Sequence, residues 1–225
     1  MLGLRYASDA GRAVAAAVVR RLRVSAYRAS IRLAAEKGYF PFFDRDAYLA
    51  GKFVSALPAA IRDQIAHQSI RNSHLLAVVP AGAISVLANN ISSAIEPVFP
   101  FEGQWRIVNR AGKLESHSAV DYAYALWRAT NSGKSRMPSH FVTAQQISPV
   151  AHLRMQAALQ PLVDNSISKT INVPESIPSD EFTAIYRQAY GLGLKGCTVS
   201  RSNPVRGSIL SNAVAEDIRC CPLER

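Results

Sequence analysis

A chain of 225 residues with 48% hydrophobic content is long enough for one domain with a sizeable core. No segment reaches the roughly 20 apolar residues of a membrane-crossing helix, so a helical membrane protein is excluded. The net charge of +10, with arginines gathered near the amino end, suits nucleic acid, an acidic partner, a solvated helix face or a surface lying against another domain; with no zinc spacing, RNP-like motif or helix-turn-helix pattern, nucleic acid gains no further support.

The segment Tyr6 to Lys37 reads as a long helix, capped by Ser8 or Asp9, rich in alanine and ended by Gly38. Val14, Val18, Leu22, Tyr27, Ile31 and Ala34 recur at helical spacing, which predicts one apolar face with arginines on the other. Tyr39, Phe40, Phe42 and Phe43 around Pro41 read as core anchors. Asp46–Lys52 and Pro58–Gln68 follow as shorter helices, the second with Pro58 in its first turn. His67 and His74 have no Cys or carboxylate at ligand spacing and read as structural or exposed.

Leu75–Val79 is an unbroken apolar run, short enough for a buried strand, and Pro80 ends it by removing a ladder donor. Ala81-Gly82-Ala83 makes a small-residue turn whose amides stay uncovered. Ile84, Leu87, Ala88 and Ile91 then suit a short helix with Ser85 in its first turn. Strand, glycine turn and helix start together gather N–H groups towards an anion, usually a phosphate. The same pattern also serves as an ordinary strand-to-helix connection.

After Pro97, Gln104–Ser116 reads as a hairpin around Asn109-Arg110-Ala111-Gly112, and Asp121–Thr130 as a helix offering Tyr122, Leu126 and Trp127 for packing. Asn131–Pro138 is a loop. Ser148-Pro149 opens a helix to Val163, with His152, Met155 and Leu159 on one face and Pro161 kinking its last turn. Ser166–Val173 alternates as a strand, Ser179–Leu192 is a serine-capped helix with acidic residues in its first turn, and Lys195–Ser200 is a last strand. From Ser211 the chain loses periodicity, which predicts one unit over 1–210 and a mobile tail over 211–225. The cysteines, Cys197, Cys220 and Cys221, are odd in number and two are adjacent, which argues against a secreted disulfide framework and fits a cytoplasmic protein.

Several of these phrases, in this order, resemble one family. RNSHLLAVVPAGAISVLANNISSAIEPVF resembles the IRNS-LL-IAPTGTISLLA-N-SSGIEPVF stretch of ribonucleotide reductase large subunits, most like the adenosylcobalamin-dependent class. AYRASIRLAAEKGYFPFFD, SISKTINV and GLGLKGCTVSRSNPVRGSIL are similar to further phrases of the same family, so the likeness runs from about Gly3 to Cys221. The arginine-rich, acid-poor start has the composition of a transit peptide, but it lies inside this likeness, which favours a folded helix.

The resemblance implies an α/β fold, the carboxy-terminal portion of a ten-stranded α/β barrel, with Leu75–Val79, Ser166–Val173 and Lys195–Ser200 as barrel strands. It implies an oxidoreductase that reduces ribonucleotides for DNA synthesis with adenosylcobalamin as cofactor, although no cobalamin determinant is identifiable in this chain. It implies that Pro80, Ala81, Gly82, Ala83, Ile84 and Ser85 hold substrate phosphates. Two positions depart from the family, which has threonines where Ala81 and Ala83 stand; a lost hydroxyl donor to a charged phosphate costs about 1.5–3 kcal/mol.

The family's radical cysteine lies in an Asn-x-Cys-x-Glu loop that this sequence does not contain, so no catalytic residue is assigned. Cys197 in KGCT falls at a strand position and is expected to pack; Cys220 and Cys221 resemble the family's CCSIE phrase. A partial barrel leaves strand edges that another chain carrying the missing part would cover. Three readings follow: a reductase segment working with such a partner, an inactive remnant consistent with Ala81 and Ala83, or a basic nucleotide- or nucleic-acid-binding module.

Overall fold

The computed structural model describes residues 2–91, 93–109, 111–131, 136–201 and 210–211. The amino-terminal helix forms as its composition predicts. α1 runs Asp9–Lys37, with the Ser8 hydroxyl accepting the Gly11 amide at 3.0 Å and Gly38 leaving the helix at φ 75°.

The face it buries is not the predicted one throughout. Tyr27, Ile31 and Ala34 are buried, but Val14, Val18 and Leu22 are 37%, 54% and 56% exposed. The amino-terminal half turns Ala15, Ala16 and Val19 inward instead, against Met155 and Leu159. Small side chains let two helix backbones approach closely, so the alanines win the interface over the larger valines. Arg23 also leaves the expected solvent face. It is 6% exposed, donates to the Pro161 carbonyl at 3.5 Å, and lies 5.8 Å from the Phe53 ring centroid. Burial, and then neighbouring Arg20, lowers its pKa.

Three short helices wrap the carboxy-terminal half of α1: α2 (Arg45–Ala50), α3 (Lys52–Ser55) and α4 (Ala59–Gln68), the last capped by Pro58. Val54, Leu57, Ile61, Ile65 and Ile70 close a core on Tyr27 and Ile31. Of the predicted aromatic anchors, Phe40 and Phe43 pack there, their rings 5.3 Å apart and edge-on. Phe42 is 93% exposed and Tyr39 57%, because the turn at Pro41 cannot aim all four aromatics inward.

Leu75–Val79 is not a full strand. It makes one parallel bridge, Val78 to Ile167, supported by Asn165 donating to Leu76 O at 3.1 Å and Ser168 to Val78 O at 2.8 Å. Val79 is 56% exposed, so the run is covered on one side only. α5 (Gly82–Leu87) follows, the short helix that the spacing predicts, and Ile84 and Leu87, which share one face of it, stand in solvent at 67% and 86% exposure. The helix stops before that face can close, because Asn89 and Asn90 turn into the left-handed region at φ 62° and 56°.

The predicted hairpin is present: β1 (Glu102–Val108) pairs antiparallel with β2 (Leu114–Val120), and β5 (Leu210–Ser211) joins the other side of β1. α6 (Tyr122–Thr130) starts at the Asp121 cap. α7 (Pro149–Leu159) passes into a 3-10 turn, Gln160–Leu162, where the sequence placed a kink at Pro161. β3 (Thr170–Val173) and β4 (Thr198–Arg201) pair in parallel, with α8 (Ser179–Gly191) as their crossover. α8 begins after Pro178, one residue beyond which Ser179 already lies in the first turn, and no side chain caps it.

Leu153, Ile171, Val173, Ile185 and Ala189 form the core beneath this pair, and Cys197 packs at its margin with its thiol pKa raised by burial. Cys220, Cys221 and residues 212–225 lie outside the described residues. The architecture is α/β. Among the described residues, no helix is long and apolar enough to cross a membrane.

Candidate functional site

Asp164 sets the start of the segment that leads into the glycine turn. Its carboxylate accepts the Leu75 and Leu76 amides, each at 2.7 Å, and the Tyr27 hydroxyl at 3.0 Å. Charge-assisted bonds to two successive amides fix both position and direction of the chain entering Leu75. Burial and the neighbouring Tyr48 and Asp164 push the Tyr27 pKa upward, which keeps that hydroxyl protonated and donating.

Beyond the bridge at Val78 the chain reaches Pro80 and the turn. The first three amides of α5, Gly82, Ala83 and Ile84, have no acceptor inside the helix, and none donates to another described group. The Ala81 amide is used: it donates to Ser93 Oγ. The Ser85 hydroxyl donates to the Ile91 carbonyl, so it closes the loop after α5. Six residues give α5 little macrodipole, so any anion affinity here rests on the individual amides.

Pro80, Gly82 and Ser85 line one side of a cavity of about 280 Å³. Thr170 and Asn172 of β3 line it as well, as does Glu96. The Ile84 side chain points to solvent, away from this space.

A buried ion pair fastens these walls to each other. Lys169 is 0% exposed; its Nζ donates to Glu96 Oε2 at 2.8 Å and to the Thr170 carbonyl at 2.9 Å. Glu96 Oε1 accepts the Thr170 amide at 2.6 Å. The Lys169 ammonium also lies 5.8 Å from the Tyr6 ring, whose hydroxyl donates to the Ile95 carbonyl at 2.6 Å. Desolvation lowers the Lys169 pKa, and the Glu96 carboxylate 2.8 Å from its Nζ opposes that. A phosphate at the turn therefore meets no uncompensated carboxylate at Glu96.

His152 stands near this pair, fully buried, with its Nε2 3.2 Å from the Ala144 carbonyl. Burial, and then Lys169, lowers its pKa to about 4, so the ring is neutral and Nε2–H donates. Its Nδ1 has no partner among the described residues. Asp121 also lines the cavity.

Of the six residues that the sequence singled out for phosphate, Pro80, Gly82 and Ser85 line the cavity and Ala81, Ala83 and Ile84 are not among its lining residues; Lys169, Glu96, Asp164 and Asp121 were missed. Strand parity was the available signal for Lys169. Residues 167, 169, 171 and 173 share one face, and the other three are Ile167, Ile171 and Val173, all buried. A lysine on that face requires a buried anion, and the acidic residue of the nearby IEP phrase supplies it. Among the described residues, no cluster of His, Cys, Asp and Glu is arranged to hold a metal.

Residues 1–200 match the family described as ribonucleotide reductase, barrel domain. A vitamin B12-dependent ribonucleoside-diphosphate reductase of Mycobacterium tuberculosis (strain CDC 1551 / Oshkosh) is 32% identical to this chain over 96% of it and 31% of the relative. A vitamin B12-dependent ribonucleotide reductase of Streptantibioticus cattleyicolor is 29% identical over 96% of this chain and 44% of its own length. A vitamin B12-dependent ribonucleoside-diphosphate reductase of Thermoplasma acidophilum is 31% identical over 65% of this chain and 21% of its own. The chain thus spans less than half the length of these relatives. With 200 residues matched and the phrases around the turn and β3 in the same order, this chain belongs to the ribonucleotide reductase barrel-domain family.

Proposed function

We propose that this chain is the carboxy-terminal part of a ribonucleotide reductase barrel that supplies the substrate-phosphate turn and part of the barrel wall. The radical-bearing remainder would come from another polypeptide. The observation that carries the reading is the convergence of Pro80, Gly82 and Ser85 with Thr170 and Asn172 on one cavity, with the first amides of α5 undonated. In this reading the parallel pair β3–β4 and the bridged segment at Val78 are barrel strands, and the edge at Leu75–Val79 is where the partner adds.

The relatives' names carry vitamin B12 dependence, and the cofactor proposed for the assembled enzyme is adenosylcobalamin. The residues here do not fit it. A cavity of about 280 Å³ is at the small end of ligand sites and far too small for a corrinoid, so no step is assigned to the cofactor within this chain. What these residues do is bind and orient. The amides of Gly82, Ala83 and Ile84 would hold phosphate oxygens, and the Glu96–Lys169 pair would keep β3 at a fixed distance from them.

Alone, with adenosylcobalamin and a dithiol, the chain is expected to reduce no ribonucleotide, since its sequence holds no Asn-x-Cys-x-Glu loop. Deoxyribonucleotide formed above a protein-free control overturns that.

The turn is tested by calorimetric titration with a nucleoside diphosphate. Gly82→Val is expected to weaken binding, because a branched side chain would stand over the amides. Ala81→Thr with Ala83→Thr should tighten it by restoring hydroxyl donors, about 1–3 kcal/mol at most. If both variants bind as the parent does, the turn is purely structural. The second reading, an inactive remnant that the alanines at 81 and 83 favour, then replaces the first.

A further inference from the structure

The exposed apolar residues of α1 are aligned. Val14, Val18, Leu22 and Leu33 are 37%, 54%, 56% and 37% exposed. With 3.6 residues per turn they fall within one sector of about 100°, a stripe about 28 Å long. One border of the stripe is the seam with α7, where Ala15 and Val19 pack. The other border carries Arg21, Arg28 and Arg32, all exposed.

None of these three arginines has a side-chain ion pair or hydrogen bond among the described residues. Arg28 and Arg32 stand one turn apart, where like charges on a helix repel. α1 itself cannot balance them, since it holds six arginines and a lysine but only two acidic residues. Asp9 is taken by Arg12, and Glu36, one turn beyond Arg32, makes no ion pair among the described residues.

An apolar stripe with cations along a single border specifies its complement. Nucleic acid would satisfy the arginines but leave the valines and leucines uncovered. Helices that lie on anionic lipid carry aromatic residues on the apolar face and cations along the polar one; this stripe has no aromatic residue, and its second border is closed by α7. A second copy of this chain would bring the same arginines and a net charge of +10. A helix with its own apolar stripe and a row of carboxylates along one edge meets both requirements.

We infer that α1 docks an acidic amphipathic helix of another polypeptide, laid along Val14, Val18, Leu22 and Leu33 with its Asp or Glu residues opposite Arg21, Arg28 and Arg32. The phosphate turn takes no part in this contact, so the two readings stand or fall separately.

The full chain is titrated into a fluorescein-labelled helical peptide of about 20 residues, long enough to cover the stripe, with leucines on one face and glutamates along one border. The same peptide with glutamines, and again with lysines, in place of the glutamates gives the comparison. The glutamate peptide is expected to bind about tenfold tighter than the glutamine one, with the gap closing as salt is raised. In Arg21→Gln/Arg28→Gln/Arg32→Gln the gap should vanish. In Arg21→Glu/Arg28→Glu/Arg32→Glu the preference should pass to the lysine peptide, and Val18→Asp should weaken every peptide. Nucleoside diphosphate binding should be the same in all of these proteins.

Equal binding of the glutamate and glutamine peptides to the parent overturns the inference without recourse to any variant, as does binding of neither. A gap that survives the loss of the three arginines overturns it too. Anionic vesicles or duplex DNA that displace the glutamate peptide through the same arginines, and bind more tightly than it does, would assign the face to lipid or nucleic acid instead.

Discussion

Lys169→Met is expected to destabilise the fold by about 3–5 kcal/mol, the range for removing one member of a buried ion pair. Methionine fills much of the lysine's volume, so the loss would not come from a cavity. It would come from Glu96, whose side chain is only 14% exposed and would lose the Lys169 ammonium 2.8 Å away. The same carboxylate holds the Thr170 amide, so β3 would lose its fixed spacing from the segment that follows the turn.

Removing both charges should cost far less than removing one. In Lys169→Met/Glu96→Gln the glutamine oxygen can still accept from Thr170, and no buried charge remains, so most of the stability should return. Urea unfolding of the two single variants, the double variant and the parent reads the coupling directly. A Lys169→Met protein within about 1 kcal/mol of the parent would show that water reaches Glu96 and that the pair is a surface feature.

That pair also marks where the sequence was readable and where it was not. Helices α1, α4, α6, α7 and α8 and the β1–β2 hairpin were legible because each rests on local signals: caps at Ser8, Asp121 and Ser148, the turn at Asn109–Gly112, and helical spacing. The cavity was half legible. The turn side was marked by Pro80 and Gly82, whose roles are set by their own backbones. The rest of the lining depends on residues 70 or more positions apart in sequence, as Thr170 meets Glu96, and no local pattern announces such a meeting.

The errors share one cause. Val14, Val18 and Leu22 have the spacing of a buried face but stand exposed. Periodicity tells which residues share a face, and only the neighbouring elements decide whether that face is covered. On α1 the covering element is α7, which packs on the alanine side. Leu75–Val79 failed as a strand for the same reason: one side pairs at Val78, and the other is exposed at Ala77 and Val79.

Acid should destabilise this protein through His152, and replacing that residue should remove the effect. The ring is wholly buried, its Nε2–H is used on the Ala144 carbonyl, and Lys169 lies close enough to disfavour a second positive charge. Its folded-state pKa of about 4 lies below the 6.5 of an unperturbed histidine. Between those values the unfolded chain takes up a proton that the native state refuses, so stability falls as pH drops below about 6.5 and levels off near pH 4. From pH 7 to pH 4.5 the loss from this one group is roughly 2–3 kcal/mol. His152→Gln keeps a donor for Ala144 and cannot be protonated. It is therefore expected to start somewhat less stable at pH 7 but to lose less on acidification, by that same difference. Carboxylates elsewhere titrate alike in both proteins and cancel in the comparison. Parallel urea midpoints for parent and variant, with ring protonation of His152 followed by NMR, would decide the matter. Equal acid slopes, or a His152 that titrates near 6.5 in the native state, would mean that the ring reaches water and is not held neutral by Lys169 and its burial.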